Sequence, residues 1–142
     1  MSAEGYFIED LSVGQSDEFT KTVTEKEIEL FAEVSGDNNP VHLDAEYAAG
    51  TMFKERIAHG MLSAGFISAV IGTRLPGPGA IYMSQQMRFK APVKIGDVVT
   101  AKCTITDINE ARRRVTLETV CLVDGKAVIE GEALVMVPSK SG

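Results

Sequence analysis

The chain has 142 residues, 44% of them hydrophobic, which fits one compact domain, residues 1–142, with a genuine apolar core. Its formal net charge of −6 excludes the broad basic face by which proteins grip nucleic acid. No stretch approaches the roughly 20 apolar residues needed to span a bilayer, and the first residues, with Glu4, Glu9 and Asp10, lack the apolar stretch of a secretory signal, so the expectation is a cytoplasmic protein with no membrane partner.

In chain order, a short strand around residues 18–23 is expected to join a sheet edge. Thr24-Glu25-Lys26-Glu27 reads as a capping box opening a helix, with Ile28, Phe31, Ala32 and Ser35 recurring at helical spacing and Gly36 as the stop. The run Ser35-Gly36-Asp37-Asn38-Asn39-Pro40-Val41-His42 follows. Pro40 lacks a backbone donor and pushes Asn39 out of the α region, so Asp37 and His42 are expected to converge across a loop rather than along one helix face. Asp44 then caps a short helix through Ala49, closed by Gly50, and the mixed-charge stretch Lys54-Glu55-Arg56 leads to Ile57-Ala58-His59.

Residues 60–74 form the most apolar segment, a helix whose Met61, Leu62, Ala64, Phe66, Ile67, Ala69, Val70 and Ile71 leave almost no polar face. Such a helix needs cover nearly all round. Leu75-Pro76-Gly77-Pro78-Gly79 ends it. Beyond Ala80 the pattern is strand throughout: Ile81, Met83, Gln85, Met87 and Phe89 alternate with Tyr82, Ser84, Gln86 and Arg88, and β-branched runs follow at 98–108, 115–123 and 127–137. Asp124-Gly125 marks a two-residue hairpin and residues 109–113 a looser turn. The clusters Arg88, Lys90, Lys94 and Arg112-Arg113-Arg114 read as solvated strand edges or turns. One buried helix against a long antiparallel meander is an α+β architecture with the sheet curled around the helix, and the surface that one such sheet cannot cover predicts a homodimer. Cys103 and Cys121, offset by two to four residues on neighbouring strands, are expected to be buried free thiols; the absence of paired Cys or His motifs argues against a metal site.

The chemistry centres on two places. Asp37 and His42 can exchange protons near neutrality, although read locally the same run is also a helix cap followed by a proline turn with a solvated aspartate. Gly60 lies at the start of the apolar helix, where backbone N–H groups lack intrahelical partners and the dipole is positive. An N–H aimed there at a thioester oxygen would stabilise an enolate-like oxyanion, worth on the order of 3 kcal/mol. The alternative is that Gly60 only relieves crowding at the helix start, and His59 reads as a structural imidazole. Together, a proton-transfer pair and an oxyanion donor imply hydration or dehydration beside a carbonyl, which requires no metal or redox cofactor.

These residues carry a resemblance. Gly36-Asp37-Asn38-Asn39-Pro40-Val41-His42 resembles the Asp-x-Asn-Pro-x-His hydratase motif, and Ala58-His59-Gly60-Met61 the second signature, of the MaoC-like (R)-specific enoyl-CoA hydratases, over about residues 8–137. The resemblance implies a hot-dog fold, a homodimer, and an acyl-CoA thioester substrate with no cofactor beyond its own coenzyme A. It also implies a hydro-lyase adding water syn to a trans-2-enoyl-CoA to give the (R)-3-hydroxyacyl-CoA, as in the short hydratases that supply polyhydroxyalkanoate synthesis. In it, Asp37 and His42 hold and activate the water, Gly60 N–H binds the thioester oxygen, Asn39 shapes the catalytic loop and Ser68 stands near the Asp; a buried serine bonding back to its own helix is the other reading of Ser68. Two competing activities remain: a 3-hydroxyacyl-[acyl-carrier-protein] dehydratase, and a hot-dog thioesterase or acyl-CoA-binding module that has no need of the Asp37 and His42 pair.

Overall fold

The structure, a computed structural model, describes residues 5–142. Glu4, on which part of the N-terminal reading rests, lies outside the described residues. Five strands form one antiparallel sheet in the order β1-β3-β4-β5-β2, with β1 Ser16–Thr22, β2 Ile81–Phe89, β3 Val98–Asn109, β4 Arg114–Val123 and β5 Lys126–Met136. The β3-β4-β5 meander follows from its turn chemistry: Asp124 and Gly125 both take positive φ, 51° and 77°, as a tight two-residue hairpin demands. Along β3 and β4 alternate residues turn inward, so Val99, Ala101, Cys103, Ile105, Val115, Leu117 and Cys121 are buried in one cluster. Cys103 pairs with Thr119 and Ala101 with Cys121, so the two cysteines are offset by two residues on one face and are free buried thiols, as expected.

The helices lie where local sequence puts them. In α1 (Glu25–Ser35) the Thr24 N–H donates to Glu27 Oε1 at 2.7 Å, completing the capping box, and Gly36 closes the helix at φ 82°, a conformation costly for residues with a Cβ. A 3-10 turn at Ile8–Asp10, unanticipated from sequence, buries Ile8 against the core. The apolar helix, α4 (Gly60–Thr73), lies across β1, β3 and β4 and buries Phe66, Ile67, Val70 and Ile71 there. Full burial of each such side chain is worth roughly 1.5–3 kcal/mol. As expected of a single sheet, this chain covers only one side of α4: Met61, Gly65, Ser68 and Gly72 form an exposed stripe at helical spacing.

Strand β2 corrects an expectation. A bulge at Met83 shifts the register, so Tyr82 pairs with Val135 and Gln85 with Ala133, both buried, and the two side chains share the inner face instead of opposing faces. The Tyr82 hydroxyl donates to Gln85 Oε1, and Gln85 Nε2 donates to buried Thr119 Oγ1 at 2.9 Å. Burial pushes the Tyr82 phenol up to about 12. As the sheet edge opposite β1, β2 leaves Ile81, Met83 and Phe89 exposed.

Candidate active site

Residues 36–39 form a turn that short side chains hold from within. Asp37 Oδ1 accepts from the Asn39 N–H at 3.3 Å, and Asn39 Oδ1 accepts from the Val41 N–H at 3.1 Å, two successive Asx turns. Asn39 thereby caps a one-turn helix, α2 (Pro40–Leu43), in which Pro40 takes the first position, where its missing donor costs nothing. His42 rides on this helix rather than on a loop, a local correction that leaves its convergence with Asp37 intact. Asp44 caps α3 (Ala45–Ala49), accepting from Glu46 and Tyr47 N–H as the sequence suggests.

The segment before α4 clamps the histidines. Ile57 bridges to Lys94, and Ala58 N–H donates to Val93 O at 2.7 Å, fixing the strand-like run to His59. His42 Nδ1 lies 2.8 Å from Ile57 O. A carbonyl can only accept, so Nδ1 carries a proton, and Nε2 is the nitrogen left to exchange one with a ligand. Arg56 Nε donates to His42 O at 2.7 Å while its guanidinium pairs with Glu25 of α1, tying α2 to the start of α1.

His59, 2% exposed, donates from Nε2 to Asp37 O at 2.8 Å. Its ring stacks on His42 with centroids 3.8 Å apart and packs on Phe31 at 4.8 Å. Burial holds the His59 imidazole below its usual range, and His42 adds to that; the Asp37 carbonyl and carboxylate partly oppose both. Asp37, His42 and His59 each bring a carboxylate or ring atom within 4.8 Å of the others. One water can bridge such a span with two hydrogen bonds of about 2.8 Å. His59 has spent its N–H on a carbonyl and its other nitrogen is sealed from solvent, which leaves the Asp37 carboxylate and His42 as the members of the trio accessible to a ligand.

A cavity of about 570 Å³ opens beside the cluster, lined by His42, Gly60, Ser63, Phe53, Phe89 and Pro92 among others. His42 and Gly60 thus share one apolar chamber, with Gly60 at the first position of α4, where its N–H has no intrahelical acceptor. A Cβ at Gly60 would sit 2.5 Å from Phe89 Cε1, so the crowding explanation of this glycine is also met. Asp37 is exposed beside the cluster and is not on the chamber wall. Ser68 lies two turns farther along α4, exposed and off the chamber wall, which removes the alternative of a buried serine bonded to its own helix. Sequence reasoning gave no site role to Ser63, whose hydroxyl is buried in this wall without a partner. A larger groove of about 830 Å³ lies between the N-terminal segment and the end of α4, but its Arg74 and Lys140 are paired with Asp17 and Asp10 and it holds none of the candidate residues.

The MaoC like domain family matches residues 11–127, a span that includes the Asp37 turn, His42 and Gly60. The chain belongs to the MaoC-like family. This MaoC-like chain is 58% identical over 135 residues to the (R)-specific enoyl-CoA hydratase of Rhodospirillum rubrum, covering 95% of the chain and 94% of that relative. Among solved structures it is similar to the R-hydratase PhaJ1 from Pseudomonas aeruginosa, with 49% identity, a TM-score of 0.91 and coverage of 96% and 88% of the two chains. It is also similar to the (R)-hydratase from Aeromonas caviae involved in PHA biosynthesis, with 41% identity, a TM-score of 0.89 and coverage of 92% and 99%. The curled sheet around α4 is accordingly a hot-dog fold, as the motif resemblance implied.

Proposed function

We propose that this protein is an (R)-specific enoyl-CoA hydratase, a hydro-lyase that reversibly adds water to a trans-2-enoyl-CoA to give the (R)-3-hydroxyacyl-CoA. The observation that carries the reading is the approach of Asp37 and His42 within 4.8 Å, beside a chamber that His42 shares with the Gly60 helix start. In this reading a water sits between the Asp37 carboxylate and His42 Nε2. As its oxygen bonds to the β-carbon, it yields one proton to the pair, the pair returns one proton to the α-carbon, and the π electrons return from the thioester through the enolate. Exchange of both protons on one side of the substrate makes the addition syn. Gly60 N–H receives the negative charge on the thioester oxygen, and Asn39 keeps the Asp37 carboxylate in place through the turn it caps. The reading assigns no cofactor and no metal, coenzyme A entering as part of the substrate.

The same reading takes residues 1–142 as one domain, supported by a single hydrophobic cluster reaching from Ile8 to Val137. It takes the working form as a homodimer, supported by the exposed α4 stripe and the exposed apolar side chains of edge strand β2. Among the described residues no helix is long and apolar enough to cross a membrane, in keeping with a cytoplasmic place in polyhydroxyalkanoate supply. The decisive experiment follows the loss of conjugated enoyl-thioester absorbance from crotonyl-CoA, with chiral analysis of the product. Asp37→Asn and His42→Ala should each remove at least about 100-fold of the rate; full activity in both, or an (S) product, sinks the assignment. Faster turnover of a carrier-protein thioester than of the CoA thioester would favour the dehydratase, and free thiol release the thioesterase.

A further inference from the structure

His59 has no part in the reaction scheme above, yet it bears on Asp37, His42 and the Gly60 helix start at once. Its Nε2–H reaches the backbone carbonyl of Asp37, its ring lies flat on His42 at 27° between planes, and its own backbone is the cap from which α4 and Gly60 begin. Phe31 of α1 closes the remaining side of the ring. The titratable groups bearing on it are Asp37 and His42. With Nε2 protonated and burial disfavouring a second proton, Nδ1 is a lone-pair acceptor, and it is buried without a partner. Among the described residues the other such buried atom is Ser63 Oγ, on a hydroxyl four residues along the sequence. A ring that stays neutral suits this place, because His42 must gain and lose a proton and a second positive charge stacked against it would oppose the gain.

We propose that His59 is a positioning residue: by holding the Asp37 carbonyl with its Nε2–H and His42 with its ring face, it sets the spacing of the two proton-exchanging groups and ties both to the Gly60 helix start. The inference rests on the hydratase reading for its kinetic assay and on the contacts alone for its geometry.

Two variants separate the contacts. His59→Phe keeps the stacked ring and loses the donor, while His59→Gln restores an N–H near the Nε2 position with a group that cannot titrate. The expected kcat of His59→Phe on crotonyl-CoA is down about 100-fold with little change in KM, the penalty for reacting groups displaced by about 1 Å. His59→Gln should recover about tenfold or more of that loss, with the pH profile of kcat unchanged in shape. Loss of a limb of that profile in His59→Gln would overturn the proposal by making His59 itself an acid or base. Wild-type kcat per folded molecule in both variants, with only a lowered Tm, would overturn it too. If the wild-type chain shows no hydratase activity, the function reading fails and this one is judged by NMR. The Asn38 amide, which shares a peptide group with the Asp37 carbonyl, should shift in His59→Phe and return toward its wild-type position in His59→Gln; an unmoved resonance overturns the proposal.

Discussion

Gly60→Ala tests whether this glycine serves the substrate or only its neighbours. The added Cβ would lie 2.5 Å from Phe89 Cε1, against an ordinary carbon–carbon contact of about 3.5 Å, so ring or helix start must move by about 1 Å. Overpacking of that size costs about 1–3 kcal/mol of stability, at the lower end here because Phe89 is 54% exposed and can yield toward solvent. The methyl group also stands where a thioester oxygen would approach the Gly60 N–H; losing that donor costs about 3 kcal/mol of transition-state stabilisation, a factor of about 100 in kcat. Removing the ring with Phe89→Ala separates the effects, since the double variant has no clash but keeps the methyl. Urea unfolding and crotonyl-CoA kinetics on wild type, both single variants and the double variant close the cycle. Stability should return in the double variant to the level of Phe89→Ala, while kcat stays about 100-fold below it. A double variant as active as Phe89→Ala would refute the oxyanion argument and leave crowding as the reason for the glycine.

Burial pushes the thiols of Cys103 and Cys121 up to about 12, from an ordinary 9.0. Both should resist iodoacetamide at pH 8–9 in the native protein and react once urea unfolds it; rapid native labelling refutes their burial. The folded pKa being the higher, their contribution to stability is complete below about pH 9 and is lost as pH rises from there toward 12, which chemical denaturation at stepped alkaline pH will show. Light scattering should give twice the 15.3 kDa chain mass, and Gly65→Glu, which sets a charge on the exposed α4 stripe without touching the core, should return the mass to one chain. A wild-type monomer at micromolar concentration refutes the dimer.

Much of the local structure was legible because it depends on hydrogen bonds between residues a few positions apart. The Thr24 and Glu27 box, the Asp44 cap and the Asp124-Gly125 hairpin each need only particular side chains at fixed offsets, and each formed where the sequence put it. That Asp37 and His42 fall near each other at all is of the same kind, since an Asx turn and a proline lie within these six residues. The Met83 bulge was not legible: strict alternation placed Tyr82 and Gln85 on opposite faces, and only the pairing of β2 with β5 brings them onto one face and into contact.

What the sequence by itself determined, then, is the larger helices and the strands, the hydratase motif and the glycine at the helix start. Tertiary structure alone decided that His59 reaches back across 22 residues to Asp37, that His42 presents Nε2 because Ile57 takes Nδ1, and that the uncovered face of α4 is the one carrying Met61, Gly65, Ser68 and Gly72. The physical reason is range. A cap or turn is satisfied within its own few residues, whereas a buried imidazole is oriented by whichever carbonyls the packed chain brings to it, and how much of an apolar helix is covered depends on where the sheet ends.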